Sequence, residues 1–108
     1  MPSQNKLPLI ELPEIFDDCF LYFAQSLDHI PFTIKRVYYI LNSDTRLPRG
    51  FHTHKKTKQV LFCIQGSIKI ILDNGRKKTS VVLNKPNLGL FIDKMIWHTM
   101  QEFKENTI

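Results

Sequence analysis

Apolar residues along most of this chain recur at every second position or in short runs, which is the pattern of β-strands. Between residues 67 and 73, Ile68, Ile70 and Leu72 alternate with other residues and would share one face of a strand. Val60–Ile64 is a short apolar run that predicts a buried strand. Phe32–Leu41 is rich in β-branched and aromatic residues and predicts a further strand.

Turn residues separate these runs. Asp73-Asn74-Gly75 predicts a type I′ hairpin, because Asn and Gly tolerate the positive φ angles of that turn. Pro86–Gly89 predicts a second turn. The strands that follow the two turns are predicted at Lys78–Leu83, Leu90–Ile92 and Ile96–Phe103.

The fold class follows from the number and spacing of these strands. Many short strands with turn residues between them predict an antiparallel sandwich or small barrel. Only Pro13–Ser26 hints at a helix, and the hint is weak. With 108 residues and no repeat or linker, we expect a single all-β domain over residues 1–108.

Composition narrows the class of protein. The chain is 43% hydrophobic and 23% charged, as is common in globular domains. No apolar run approaches the roughly 20 residues that span a bilayer, and residues 1–6 lack the apolar core of a signal peptide. We therefore expect a cytoplasmic protein that does not bind membranes. In that compartment Cys19 and Cys63 are expected to be free thiols.

The charge balance is basic, with a formal net charge of +5 and a sequence pI near 9.4. Basic clusters lie at residues 55–58 and 76–78, but aromatic residues do not interleave with them and no nucleic-acid motif is present. A small phosphorylated or nucleotide-linked substrate fits this pattern better than DNA or RNA.

A histidine pair is the main candidate for chemistry. His52 and His54 are separated by one residue, so they would lie on one face of a strand. Gln59 and Gly66 follow at the spacing of the first cupin motif, in which residue 59 is usually Glu. His98 stands where the second cupin motif places its histidine. Asp93 and Met95 occupy positions to which that motif usually gives Pro and Gly.

Two kinds of chemistry fit these residues. Metal-binding cupins combine three histidines with a carboxylate, and the neutral amide of Gln59 would weaken binding of a divalent ion. Alternatively, a neutral imidazole can accept a proton and return it elsewhere, while nearby cations stabilise an enolate oxygen. The candidate cations are Arg49 and Lys55 beside the pair, and Arg36, which we expect to point inward together with Tyr38.

The chain resembles a known family, the sugar 3,4-ketoisomerases or WxcM-like cupins, over about residues 17–103. The resemblance is carried by Pro48–Lys56 together with Trp97-His98, and by several shorter segments. These segments are Ile30–Phe32, Ile34–Ile40, Lys58-Gln59, Gly66-Ser67, Leu72-Asp73 and Gly89-Leu90. The resemblance implies a cupin (RmlC-like) antiparallel barrel or jelly roll.

The resemblance also implies an activity. The family moves the carbonyl of dTDP-4-oxo-6-deoxyglucose from C4 to C3, without a metal or other cofactor, in the synthesis of deoxyamino sugars for surface glycans such as lipopolysaccharide. It implies that His54 is the base and His52 completes the proton relay. It implies a homodimer that exchanges N-terminal strands. The residues that it places against the sugar nucleotide are Arg36, Tyr38, Arg49, Lys55, Gln59 and His98.

Two departures from the family pattern stand out. Asp18-Cys19 occupies the place of an Arg-Gly pair, and Gln25 that of a Glu. The sequence ends at Glu105–Ile108, where the family continues into another apolar strand, so we expect a barrel without that strand and with an exposed edge. These departures favour an alternative to the enzyme, namely a catalytically degenerate sugar-nucleotide-binding domain. A metal-dependent cupin enzyme is the other alternative.

Overall fold

Short antiparallel strands make up the regular structure of this protein. The computed structural model describes residues 8–41, 49–52 and 56–108, with residues 49–52 described by their backbone. The described part contains no helix. Its strands are β1 (Leu9–Glu11), β2 (Glu14–Phe16), β3 (Phe20–Tyr22), β4 (Arg49–His52), β5 (Gln59–Phe62), β6 (Ile68–Asp73), β7 (Lys78–Leu83), β8 (Leu88–Ile92) and β9 (Trp97–Gln101).

Two sheets enclose one apolar core. The three-stranded sheet has the order β1-β8-β5 and the four-stranded sheet has the order β4-β9-β6-β7, while β2 and β3 form a separate hairpin. The buried side chains between the sheets come from both of them, as in a sandwich or barrel. The predicted all-β class and the alternation in β6 are confirmed. The inward side chains of the core strands are Ile68, Ile70, Leu72, Val81, Leu83, Leu90 and Ile92.

The hairpin between β6 and β7 is confirmed, but the predicted type I′ turn is wrong. Asp73 pairs with Lys78, so four residues rather than two connect the strands. Gly75 has a φ of 92°, whereas Asn74 is not among the residues with positive φ. The side-chain oxygen of Asn74 instead accepts hydrogen bonds from the backbone N–H groups of residues 76 and 77, at 2.9 Å each. Asn74 thus contributes its side chain to the turn.

The weak helix hint at Pro13–Ser26 is wrong, because β2 and β3 form a hairpin there. The chain reverses at Asp18, which has a φ of 62°, and the backbone N–H of Asp17 donates to the carbonyl of Cys19 across the turn, at 2.9 Å. The rings of Phe16 and Phe20 then meet across the strands, with centroids 5.0 Å apart. Contacts across the hairpin therefore outweigh the local helix preference.

The predicted strand at Phe32–Leu41 is not formed in this single chain. The segment is not paired with any described strand. Its start is attached to the preceding turn, where Ile34 N–H donates to Ser26 Oγ at 3.0 Å. Further along, Tyr39 is 74% exposed. Strand propensity alone does not make a strand, because the backbone groups need a hydrogen-bonding neighbour.

The last residues of the chain lie against the turn between β5 and β6. Ile108 exchanges backbone hydrogen bonds with Ile64 and Gln65, both at 2.9 Å. Thr107 is buried, and its side chain leaves no room for a Cβ on Gly66, which also has a φ of 86°. Among the described strands β5 has a neighbour only on the β8 side, so Gln59–Phe62 is the edge of its sheet.

Two smaller expectations concern the cysteines and the membrane. Cys19 is exposed and Cys63 is buried, and both are free thiols as predicted. Burial raises the pKa of the Cys63 thiol. The described residues include no helix that could cross a membrane.

Candidate active site

Two of the predicted site histidines lie on neighbouring strands. In the four-stranded sheet β4 pairs with β9, and His52 stands directly opposite His98 in the backbone register. Residues so paired have Cα atoms about 4.5–5.5 Å apart. The register shifts between Gly50 and His52, which marks an irregularity in β4. The fold thus brings together two positions that are far apart in the sequence.

His98 points into the interior of the barrel. On its other side it pairs with Leu72, a buried core residue, and paired residues share a face of the sheet. His98 itself is only 3% exposed. Its Nδ1 lies 3.5 Å from the carbonyl oxygen of Ile96. Because a carbonyl can only accept, this contact favours the tautomer with a proton on Nδ1 and a lone pair on Nε2.

Gln59 lies at the same end of the barrel on the facing sheet. It begins β5 and pairs with Ile92, which ends β8 and is buried in the core. Gln59 therefore belongs to the inner face of its sheet. The four residues after Ile92 lead directly into β9 and to His98, so Gln59 and His98 face the same end of the interior. The half-buried amide of Gln59 has interaction partners in the fold.

Trp97 occupies the opposite face from His98, because successive side chains of a strand alternate between its two faces. It pairs with Asp73 on the outer face of the sheet and is 41% exposed. The indole therefore lies outside the barrel interior and does not line the site.

The other predicted site residues do not share one environment in the structure. Arg36 and Tyr38 are exposed in the segment after residue 33, which has no regular structure, so the expectation that they point inward is wrong for a single chain. An inner face is defined only for a strand that belongs to a sheet, and this segment belongs to none of the described sheets. Arg49 begins β4, where its backbone pairs with Met100. His54 and Lys55 lie outside the described residues.

One group at the site was not anticipated from the sequence. The carbonyl of Ile96 approaches His98, and a backbone acceptor leaves no signal in residue identity. The nearest sequence signal is Met95, which takes the place that the second cupin motif usually gives to glycine. Met95 has a φ of 69°, the conformation for which glycine is suited.

The described geometry suits proton transfer. A buried imidazole has a second histidine position opposite it, and a neutral amide lies on the facing wall. An imidazole can give or take a proton near neutral pH, and an amide can orient a hydroxyl or carbonyl without adding charge.

Comparison with known proteins gives a consistent result. The FdtA family, described as WxcM-like, C-terminal, matches residues 5–108. A curated TDP-4-oxo-6-deoxy-alpha-D-glucose-3,4-oxoisomerase from Aneurinibacillus thermoaerophilus is 45% identical over 80 residues, which is 74% of this chain. The match spans 58% of the length of that relative.

Solved structures agree in fold. A mutant of the 3,4-ketoisomerase QdtA from Thermoanaerobacterium thermosaccharolyticum, in complex with TDP-4-keto-6-deoxyglucose, superposes with a TM-score of 0.90 at 38% identity and covers 97% of this chain and 77% of its own. The WlaRB TDP-quinovose 3,4-ketoisomerase from Campylobacter jejuni also has a TM-score of 0.90 at 38% identity, with 97% and 81% covered.

Proposed function

Because this chain belongs to the WxcM-like family of sugar 3,4-ketoisomerases, we propose that it moves the carbonyl of a dTDP-linked 4-oxo-6-deoxyhexose from C4 to C3. The observation that carries the proposal is the backbone pairing of His52 with His98 opposite a wall that presents Gln59. This backbone register supports the proton-transfer hypothesis, because it brings a second histidine position next to a buried imidazole and leaves a neutral amide on the facing wall.

The reaction relocates two protons. The C4 carbonyl acidifies the C3–H bond, so a base can remove that proton and leave an enediolate spread over C3 and C4. Return of a proton to C4, together with transfer of the hydroxyl proton from O3 to O4, completes the isomerisation with no change in oxidation state. We assign the base to His54 and the completion of the relay to His52, since a neutral imidazole can accept a proton and return it elsewhere.

The remaining predicted residues would bind substrate. Arg49 and Lys55 flank the histidine pair in sequence and would offset the negative charge of the enediolate or pyrophosphate. The inward-facing Gln59 and His98 would contact the sugar. Arg36 and Tyr38 could join the site only if the exposed segment that carries them docks on a sheet.

A second copy of the chain is the partner that we propose for that segment and for the β2–β3 hairpin. In the single chain the hairpin exposes Ile15, Phe16, Phe20 and Leu21, each by about half or more. Apolar side chains in this number are normally covered in the working form of a protein. A homodimer that exchanges N-terminal strands would cover them, and cytoplasmic synthesis of surface-glycan sugars is the setting in which we place it.

The test is solvent exchange at the reacting carbon. With dTDP-4-oxo-6-deoxyglucose in deuterated water, the protein should form the 3-oxo sugar with deuterium at C4, and substrate that returns from the enediolate should carry deuterium at C3, as followed by NMR. His52→Asn and His54→Asn should each abolish incorporation while binding of the sugar nucleotide, measured by calorimetry, is largely retained. His29→Asn, at a histidine whose ring contacts Phe23 in the turn after β3, is the matched control and should exchange normally.

Two outcomes would overturn the proposal. Absence of incorporation with the unmutated protein, despite binding, would leave a catalytically degenerate binding domain. Stoichiometric iron, nickel, manganese or zinc in the purified protein, with activity lost on its removal, would establish a metal-dependent cupin enzyme instead.

A further inference from the structure

The connection between β8 and β9 contains a backbone conformation that its sequence does not favour. Met95 has a φ of 69°, in the left-handed region where a residue with a Cβ is crowded by its own carbonyl. Its side chain is 59% exposed, so burial of the thioether does not offset that cost. Such an outlier persists only when the surrounding structure determines it.

Topology supplies the reason for the turn. β8 belongs to the three-stranded sheet and β9 to the four-stranded sheet, so Asp93–Ile96 must carry the chain from one sheet to the other. Both ends of this connection are fixed, because Ile92 is buried in the core and Ile96 packs against it. Four residues with fixed ends leave few conformations, and several tight turns require a residue with positive φ.

The same connection reaches the buried histidine. Ile96 presents its carbonyl oxygen 3.5 Å from Nδ1 of His98, while its side chain is held by the core. Because Ile96 directly follows Met95, a change of φ at Met95 would reorient the peptide units that carry this carbonyl.

We infer that the left-handed turn at Met95 is a positioning device for His98. Acting through the Ile96 carbonyl, it orients the imidazole and favours the tautomer with a proton on Nδ1. The catalytic consequence rests on the proposed ketoisomerase function, but the positioning itself does not.

The chain contains a matched control. Leu27 also has a left-handed backbone, with a φ of 63°, and is exposed in a turn between Ser26 and Ile30, outside β8, β9 and their connection. A β-branched residue is strained in this region whatever its surroundings. Met95→Val and Leu27→Val therefore impose the same kind of local strain. Met95 directly precedes the residue whose carbonyl contacts His98, whereas Leu27 lies outside that connection.

The experiment measures the tautomer of His98 by imidazole 15N NMR, with the signals assigned by their loss in His98→Gln. Met95→Val should lower the Tm by a few degrees and replace the single Nδ1–H tautomer by a mixture. Met95→Gly, which keeps the turn without strain, should retain the tautomer. Leu27→Val should lower the Tm comparably and leave the His98 signals unchanged. If Met95→Val leaves these signals as in the unmutated protein, or Leu27→Val alters them equally, the inference is wrong.

A kinetic measurement extends the test to the reaction. Met95→Val should lower kcat by about 10-fold and shift the pH profile, as expected when a group that contacts the reacting sugar is misplaced. Met95→Gly should restore both. Should the unmutated protein show no isomerase activity, the NMR measurement still decides the positioning role, so the two proposals fail separately.

Discussion

Inward-facing apolar side chains are buried in the strands from β6 to β9, whereas apolar side chains are mostly exposed in the segment from Glu14 to Leu41. In the first region inward side chains are almost fully buried, and Ile70, Leu83 and Leu90 are 0% exposed. In the second region most large apolar side chains are exposed. A single chain therefore completes the core between the two sheets but leaves the apolar surface of its N-terminal third open.

Charge is also unevenly distributed along the chain. Residues 7–34 contain five of the ten acidic residues and none of the 15 lysines and arginines. The rest of the chain is correspondingly basic. Opposite charge on two regions of one molecule favours association between the N-terminal third of one copy and the basic surface of another, which agrees with the dimer proposed above.

We expect the largest effect in the rates at which the two cysteine thiols are chemically modified. Cys19 lies at the exposed tip of the β2–β3 hairpin, whereas Cys63 is buried and its burial raises the pKa of the thiol. At low protein concentration and pH 8, an aromatic disulfide reagent should modify Cys19 faster than Cys63, on the order of 100-fold or more, because Cys63 reacts only after opening. Cys19→Ser isolates the slow phase. Two equal fast phases in folded protein would contradict the comparison.

A pair of isoleucines compares the packing directly. Ile70→Ala should lower the free energy of unfolding by about 2–5 kcal/mol, because it removes a fully buried side chain and leaves a cavity. Ile15→Ala, at a residue that is 49% exposed, should cost less than about 1 kcal/mol in the same urea titration at low protein concentration. Equal costs would mean that the hairpin is packed within the single chain.

The hairpin aromatics test what covers the open region. Phe16→Ser combined with Phe20→Ser should weaken self-association by roughly 10-fold or more, since aromatic side chains carry much of the free energy of interfaces. Sedimentation velocity over a concentration series measures this. Val82→Ser, at an exposed residue of β7, is the control and should leave association unchanged. An unchanged dimer in the double variant would exclude the hairpin as the contact.

The sequence predicted the barrel strands well and the N-terminal third poorly. β5 to β9 follow from alternation and turn residues, because each of these strands has a buried face that fixes the period of its apolar residues. The hairpin at β2–β3 was not predicted, and the predicted strand at 32–41 did not form. In those segments most apolar residues are exposed in the single chain. Their pattern along the sequence therefore does not show which side of the segment packs against the core.

The candidate site was likewise predicted only in part from the sequence. Residue identities and spacing alone were enough to select His52, Gln59 and His98 and to suggest a family. The reason is that spacing along a strand determines which side chains share a face. Only the tertiary structure paired His52 with His98, placed Gln59 on the facing wall, and brought the Ile96 carbonyl to the imidazole. Strand register between distant segments and the direction of a backbone carbonyl depend on how the sheets pack, and local sequence does not encode either of them.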